Sequence, residues 1–282
     1  MKIAISLDSA CDLSKQVIEE YDFRIVPFGV NMGDQFFYDG EISTLEIFKW
    51  ADENKKLPKT NAVNQEAFRE HFAEILKTHD AIIHFDISSE MSSAYNNAAN
   101  AAKEFNNVFV IDSRSLSTGI ALLALYAKKL TETIADPKKI VELVEKRIPS
   151  VQASFIVERL DYLHRGGRCS SIALLGANIL KIRPQIQVLN GTMGSTNKYR
   201  GKMEKCIADY CRTVLEKYSN PDKSVIFITH SMATEEMVNA AMEVVKEYGF
   251  EKIYETTAGC TVSSHCGKNT LGILYINDGG AV

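Results

Sequence analysis

Four apolar runs in this sequence end in a polar pair that carries a hydroxyl. Leu7 leads into Asp8-Ser9, Phe85 into Asp86 and then Ser88-Ser89, Ile111 into Asp112-Ser113, and Ile228 into Thr229-His230-Ser231. In open α/β sheets the ligand crevice lies beyond the carboxyl ends of the strands, so these pairs are expected to line one. Asp and Ser at such positions also cap the helices that follow. Repetition of the pattern argues that some of them face a ligand as well.

Several familiar chemistries are missing. Neither GxGxxG nor GxxxxGK[ST] occurs, so no glycine loop brings backbone up to a phosphate. Asp8 and Asp12 resemble a nucleophile at a strand end, but Ala10 stands where a general acid would be needed, and covalent carboxylate catalysis requires an acid or metal partner. The GxSxG nucleophile elbow is absent. Cys260, His265 and Cys266 lack the second close pair of a zinc site and lie among Ser and Thr, so they read as structural. A Cys260–His265 nucleophilic pair has nothing in the sequence to orient it. The six cysteines, at 11, 169, 206, 211, 260 and 266, contain no CxxC pair and are expected to be reduced thiols.

The string at residues 162–168, YLHRGGR, places Arg165 and Arg168 around a Gly-Gly turn. Residues 164–205 carry eight Lys or Arg against the single acid Glu204, a local charge of +7 in a chain of net −4. A basic corner of this kind suits an anion, a phosphorylated ligand or an acidic protein partner. A solvated charged face is the plainer alternative. Aromatic residues are sparse there, so no base-stacking platform for nucleic acid is expected.

These residues must be carried by an alternating β and α pattern. Strands are expected at residues 2–7, 24–30, 35–38, 81–85, 108–111, 152–157, 224–229, 252–255 and 271–276. Helices are expected at 45–53, 65–77, 92–104, 118–131, 138–146, 172–180, 202–218 and 235–248. Strands 185–189 and 196–199 form a hairpin across Asn190-Gly191. The alternation predicts two α/β domains with mostly parallel sheets, residues 1–148 and 149–282, divided near Pro149. The 282 residues, 45% hydrophobic and 24% charged, exclude a disordered chain and suffice for two cores. Uncharged apolar stretches are well short of the roughly 20 residues of a membrane span, and the apolar start is interrupted at Asp8, too early for a signal peptide. A cytoplasmic location is expected.

Taken together, the strings resemble the DegV family of bacterial fatty-acid-binding proteins over the whole length. DSxxD is similar to residues 8–12, SSxLSGTYxSA to 88–98, IDSxxxSxG to 111–119, YLxRGGR to 162–168 and HxGPGxLG to 265–272. The resemblance implies a two-domain α/β carrier that holds one long-chain fatty acid, such as palmitate or oleate, in a buried apolar tunnel and has no catalytic activity of its own. It implies carboxylate contacts from Thr60, Ser92 and His265. In some bacteria such proteins present the fatty acid to a separate ATP-dependent fatty acid kinase that makes acyl phosphate for lipid synthesis. This chain departs from the family in three places. TSxPS becomes Thr60-Asn61-Ala62-Val63-Asn64, LSGT becomes Met91-Ser92-Ser93-Ala94, and the GPG after the histidine becomes Gly267-Lys268-Asn269. Asn61 and Ser93 then stand as further head-group donors, and Asn64 as a helix cap.

The residue chemistry agrees with that implication. Hydrogen bonds to an ionised carboxylate are the stronger class, and hydroxyls and an imidazole supply them without burying a permanent charge. About 14 methylenes at roughly 0.8 kcal/mol each give on the order of 11 kcal/mol of burial before association costs, so the chain sets affinity and the polar cluster sets orientation. The buried helices at 118–131 and 172–180 are the expected tunnel walls. Arg165 and Arg168 are assigned to a partner or a phosphate, not to the carboxylate. Two alternatives stay open: an acyl or phosphoryl transferase using Asp8, Ser92 or Cys260, and a lipid-sensing regulatory module that docks through the basic corner.

Overall fold

The computed structural model describes residues 1–169 and 182–280. The expected helix at 172–180 lies outside the described residues. Up to residue 147 the strands are β1 (Ile3–Asp8), β2 (Arg24–Val26), β3 (Gly29–Met32), β4 (Gln35–Tyr38), β5 (Lys59–Asn61), β6 (Ala81–Asp86) and β7 (Val108–Asp112). The helices are α1 (Lys15–Glu20), α2 (Thr44–Asn54), α3 (Gln65–Leu76), α4 (Ala94–Ala102), α5 (Thr118–Leu130) and α6 (Pro137–Arg147). Beyond residue 150 follow β8 (Val151–Ile156), α7 (Asp161–Gly166), β9 (Ile182–Leu189), β10 (Thr192–Arg200), α8 (Met203–Lys217), β11 (Val225–Ser231), α9 (Glu235–Lys246), β12 (Lys252–Thr257), α10 (Cys260–Cys266) and β13 (Thr270–Ile276).

The first sheet is all parallel, in the order β2-β1-β6-β7. β1 and β6 are buried at every position, as near-continuous apolar runs covered on both faces should be. The expected strand at 24–30 divides at Pro27, which has no N–H to give a ladder. β2 pairs with β1, whereas β3 joins a separate small antiparallel sheet, β4-β3-β5. That small sheet carries Thr60.

The second sheet runs β10-β9-β8-β13-β11-β12. Here mostly parallel pairing does not hold: only β11–β12 is parallel, and the other four pairings are antiparallel. Parallel neighbours need a helical crossover, and β9 and β10 are joined by a hairpin instead. Its turn residues Asn190 and Gly191 both have positive φ, +51° and +84°, as the expected tight turn requires. β13 then enters between β8 and β11, running against both.

Local chemistry sets the helix ends. Ser43 and Glu46 form a reciprocal capping box at α2, Asn64 accepts Ala67 N–H at α3, and Asp136 precedes Pro137 at the start of α6. The expected helix from 92 starts at Ala94, with Ser92 Oγ accepting Ala94 N–H at 3.2 Å. One continuous core joins Ile5, Leu7, Phe68 and Phe85 of the first half to Phe155, Ile186 and Leu274 of the second. α5 is buried at every residue from Thr118 to Ala127 and packs against strands of both sheets.

Candidate functional site

A cavity of about 230 Å³ lies where the two halves meet. A single water needs only roughly 10–15 Å³, so this space holds something much larger than a solvent molecule. Phe28, Ile87, Met91 and Leu116 line it from the first half, and Phe155, Leu163, Met193, Val262 and Leu274 from the second. The expected wall from α5 is not found. That helix is covered on all sides by strands and by α6, and only Leu116 and Ser117, just before its first turn, reach the cavity.

Polar groups gather on one part of this wall. Thr60 sits at the centre of β5 and His265 one residue before the end of α10. Thr60 Oγ1 and His265 Nε2 are 2.8 Å apart. Burial, reinforced by the Arg168 guanidinium, lowers the His265 imidazole to a pKa of about 4, so it is neutral at pH 7. Nδ1 faces Gly166 with no hydrogen-bond partner among the described residues. A buried orphan N–H is rarer than a buried orphan acceptor, so the proton belongs on Nε2. The imidazole then donates to Thr60, and the threonine O–H is left to donate onward.

Ser92 also lines the cavity, and its oxygen accepts Ala94 N–H, leaving its O–H free to donate. Ser93, exposed at the start of α4, reaches the rim. Asn97 Nδ2 donates to Val63 O at 2.8 Å, which ties α4 to the segment after Thr60. Asn61 is not brought to the cavity. It alternates to the opposite face of β5, and its amide donates to Asn31. Arg168 lines the cavity, and its Nη1 donates to Gly166 O at 2.6 Å; Arg165 does not line it.

Three aspartates hold these walls in place, a role that sequence reasoning missed although DSxxD marks two of them, Asp8 and Asp12. Asp8 accepts Ala10 N–H at 2.9 Å and Ile87 N–H at 2.7 Å. Asp12 accepts Ser117 Oγ–H at 2.5 Å and Gly259 N–H at 2.8 Å, joining the two halves. Asp39 accepts Cys260 and Thr261 N–H at 2.8 and 3.2 Å, satisfying the first turn of α10, and also Ser9 Oγ–H at 3.2 Å. Burial pushes the carboxyls of Asp8 and Asp12 well above the usual range. Asn269, where the family has glycine, takes the left-handed φ of +58° and donates to Glu158 at 2.7 Å. Among the described residues no group of three His, Cys, Asp or Glu is arranged to hold a metal ion, and no helix is long and apolar enough to cross a membrane.

Comparison with known proteins gives a consistent picture. A family profile described as an uncharacterised protein of the DegV family matches residues 2–278. A DegV domain-containing protein of Clostridium perfringens is 31% identical over 285 residues, 98% of this chain and 99% of that one. A fatty-acid-binding DegV family protein from Thermus thermophilus shares the fold at a TM-score of 0.91 with 24% identity, over 99% of this chain and 100% of that one. A stearic acid-binding protein from Eubacterium ventriosum is 25% identical with a TM-score of 0.86, over 98% of both chains.

Proposed function

The chain belongs to the DegV family, and from that membership we propose that it binds one long-chain fatty acid in the apolar cavity and carries it with the carboxylate at Thr60, Ser92 and His265. The observation that carries this reading is an apolar cavity bounded on one part by a neutral imidazole–hydroxyl pair. Such a pair donates to an ionised carboxylate without the desolvation cost of a buried cation. Ser93 stands at the rim as an accessory donor, and Asn61 serves β5 and not the ligand.

Sequestration and presentation fit better than turnover. Asp8 is buried and spends both oxygens on backbone N–H groups. The Cys260 thiol is buried, pushed up to about 12, and donates to Ile42 O. Neither has the exposure or activation of a nucleophile. The finer reading is that a separate ATP-dependent kinase receives the presented carboxylate. Buried thiols at Cys11, Cys206, Cys211, Cys260 and Cys266 fit action in the reducing cytoplasm.

Native mass spectrometry of protein purified without added lipid, followed by denaturation and lipid identification, tests the proposal. One fatty acid per chain is expected. Protein that is empty and also refuses palmitate, stearate and oleate would overturn it.

A further inference from the structure

A second, larger cavity of about 680 Å³ lies on the other side of the Thr60–His265 pair. Thr60, His265 and Arg168 line both spaces and so form the partition between them. The two linings differ in chemistry. The inner one is mainly apolar, whereas Lys56, Lys59, Arg165 and Arg168 face the outer one, against the single carboxylate of Asp34.

Nearby basic residues are neutralised. Arg159 pairs with Asp161 at 2.9 Å, Lys268 with Asp52 at 3.0 Å, and Arg183 with Glu158 at 3.6 Å. The four cations of the outer cavity have no ion-pair partner among the described residues. Among the described residues Arg168 donates to a backbone carbonyl, Gly166 O. Four cations around one concave space, none ion-paired among the described residues, make a standing positive potential, and guanidinium forks match tetrahedral oxyanions.

The geometry points to the outer cavity as a binding site for a phosphate-class oxyanion, held by Arg165, Lys59, Lys56 and the outer side of Arg168. The site stands on the outer cavity alone. Its use, placing a phosphate-like group one side-chain layer from the acyl carboxylate, rests on the proposed function. Trp50, the only tryptophan of the chain, forms part of the same wall and reports on occupancy. Its ring also gives a planar phosphate ester a face to lie on.

The test titrates the full-length protein with inorganic phosphate and with phenyl phosphate, at constant ionic strength balanced by chloride. Trp50 emission and calorimetric heat are read together, and lipid content is read in the same sample by native mass spectrometry. The lipid reading keeps a failure of the fatty-acid function distinct from a failure of the anion site. A saturable response to phosphate that chloride does not reproduce is expected. Lys59→Gln with Arg165→Gln should weaken it by roughly tenfold or more, and Lys56→Gln alone by a few-fold, since charge-assisted bonds are lost. Tighter binding of phenyl phosphate than of phosphate would identify an ester as the source, and equal binding the free anion. Thermal unfolding of each variant checks that the fold is intact. The proposal is overturned by an equal response to chloride and phosphate, by no signal and no heat, or by retention of full affinity in the folded variants. A Trp50 response to anionic phospholipid vesicles but not to either phosphate would also overturn it, in favour of a membrane surface.

Discussion

Gly166→Ala isolates the head-group pair from the rest of the site. A Cβ at Gly166 would lie 2.6 Å from His265 Nδ1 and 3.5–3.6 Å from two ring carbons. Comfortable contact needs about 3.5 Å or more, so the imidazole must move by roughly 1 Å. Its bond to Thr60 is 2.8 Å long now, and a hydrogen bond is lost beyond about 3.5 Å. Loss of a charge-assisted hydrogen bond is worth about 1.5–3 kcal/mol, roughly ten- to a hundredfold in Kd. The apolar cavity is untouched, so binding driven by the acyl chain should persist. The assay is competition between a fatty acid and the primary alcohol of the same length. The wild type should favour the acid, and Gly166→Ala should lose most of that preference while unfolding within about 1 kcal/mol of wild type, because alanine is a good helix residue. The neighbouring Gly167 supplies the control. It has open space around its Cβ position but φ of +70°, so Gly167→Ala should cost on the order of 1 kcal/mol of stability and leave the preference alone. An unchanged acid preference in folded Gly166→Ala protein would refute the assignment of His265 and Thr60 to the head group.

Thr60→Val keeps the shape and removes the hydroxyl; fatty-acid Kd should rise about tenfold by direct titration, and an unchanged Kd would remove Thr60 from the site. Asp39→Asn leaves one acceptor oxygen for the two N–H groups at the start of α10, so urea unfolding should show a loss of about 1 kcal/mol together with faster fatty-acid release; wild-type values for both would mean α10 is not anchored there. His84 is wholly buried, with its pKa lowered to about 3 by desolvation. The unfolded chain therefore takes up that proton first, and the stability His84 contributes is present above about pH 6.5 and is lost as pH falls toward 3. Between pH 7 and 5 this amounts to about 2 kcal/mol, opposed in sign by the raised carboxyls of Asp8, Asp12 and Asp86. His84→Gln should flatten the acid limb in urea melts at the two pH values, and an unaltered slope would assign the acid loss elsewhere.

What could be read from residue order was whatever rests on local periodicity. β1, β6, α3, α5 and α9 appear within a few residues of expectation because their apolar spacing is continuous. The elements that carry the head-group chemistry were the ones not foreseen. β5 is three residues without an apolar signal, and it exists because β3 pairs with it. α10, CTVSSHC, is rich in Ser and Thr, which compete with helical backbone bonds. It is held by carboxylates more than 200 residues away in the chain. Thr60, Ser92 and His265 were named through family resemblance, and no spacing rule joins residues so far apart. Asn61 shows the limit of that route, since strand alternation turns it away from the cavity whatever its side chain offers. The four antiparallel pairings of the second sheet were missed for the opposite reason: apolar runs do not encode direction, and only the Asn190-Gly191 turn did.

The DSxxD string bears on how a carrier differs from an enzyme built of similar residues. Strand-end aspartates in a crevice ordinarily suggest chemistry on a ligand. Here the two aspartates of that string, and Asp39 beside them, are held by the protein: Asp8 by two backbone N–H groups, Asp12 by Ser117 and Gly259, and Asp39 by Ser9 and the start of α10. Their bonds run to Ile87, Ser117 and Thr261, all of which line the cavity. Buried carboxylates are costly, and this expense is offset only where several donors converge. That convergence fixes loops from both halves around an apolar space and leaves weaker hydroxyl and imidazole donors to meet the ligand. A reversible carrier needs that division, because a strong buried cation at the carboxylate would slow release. It follows that Asp12→Asn should loosen the cavity and speed exchange of fatty acid and fatty alcohol alike, whereas Gly166→Ala should act on the acid alone. If Asp12→Asn discriminated between acid and alcohol as strongly as Gly166→Ala, Asp12 would belong to the head-group site itself, and the separation of scaffold from ligand contacts would fail.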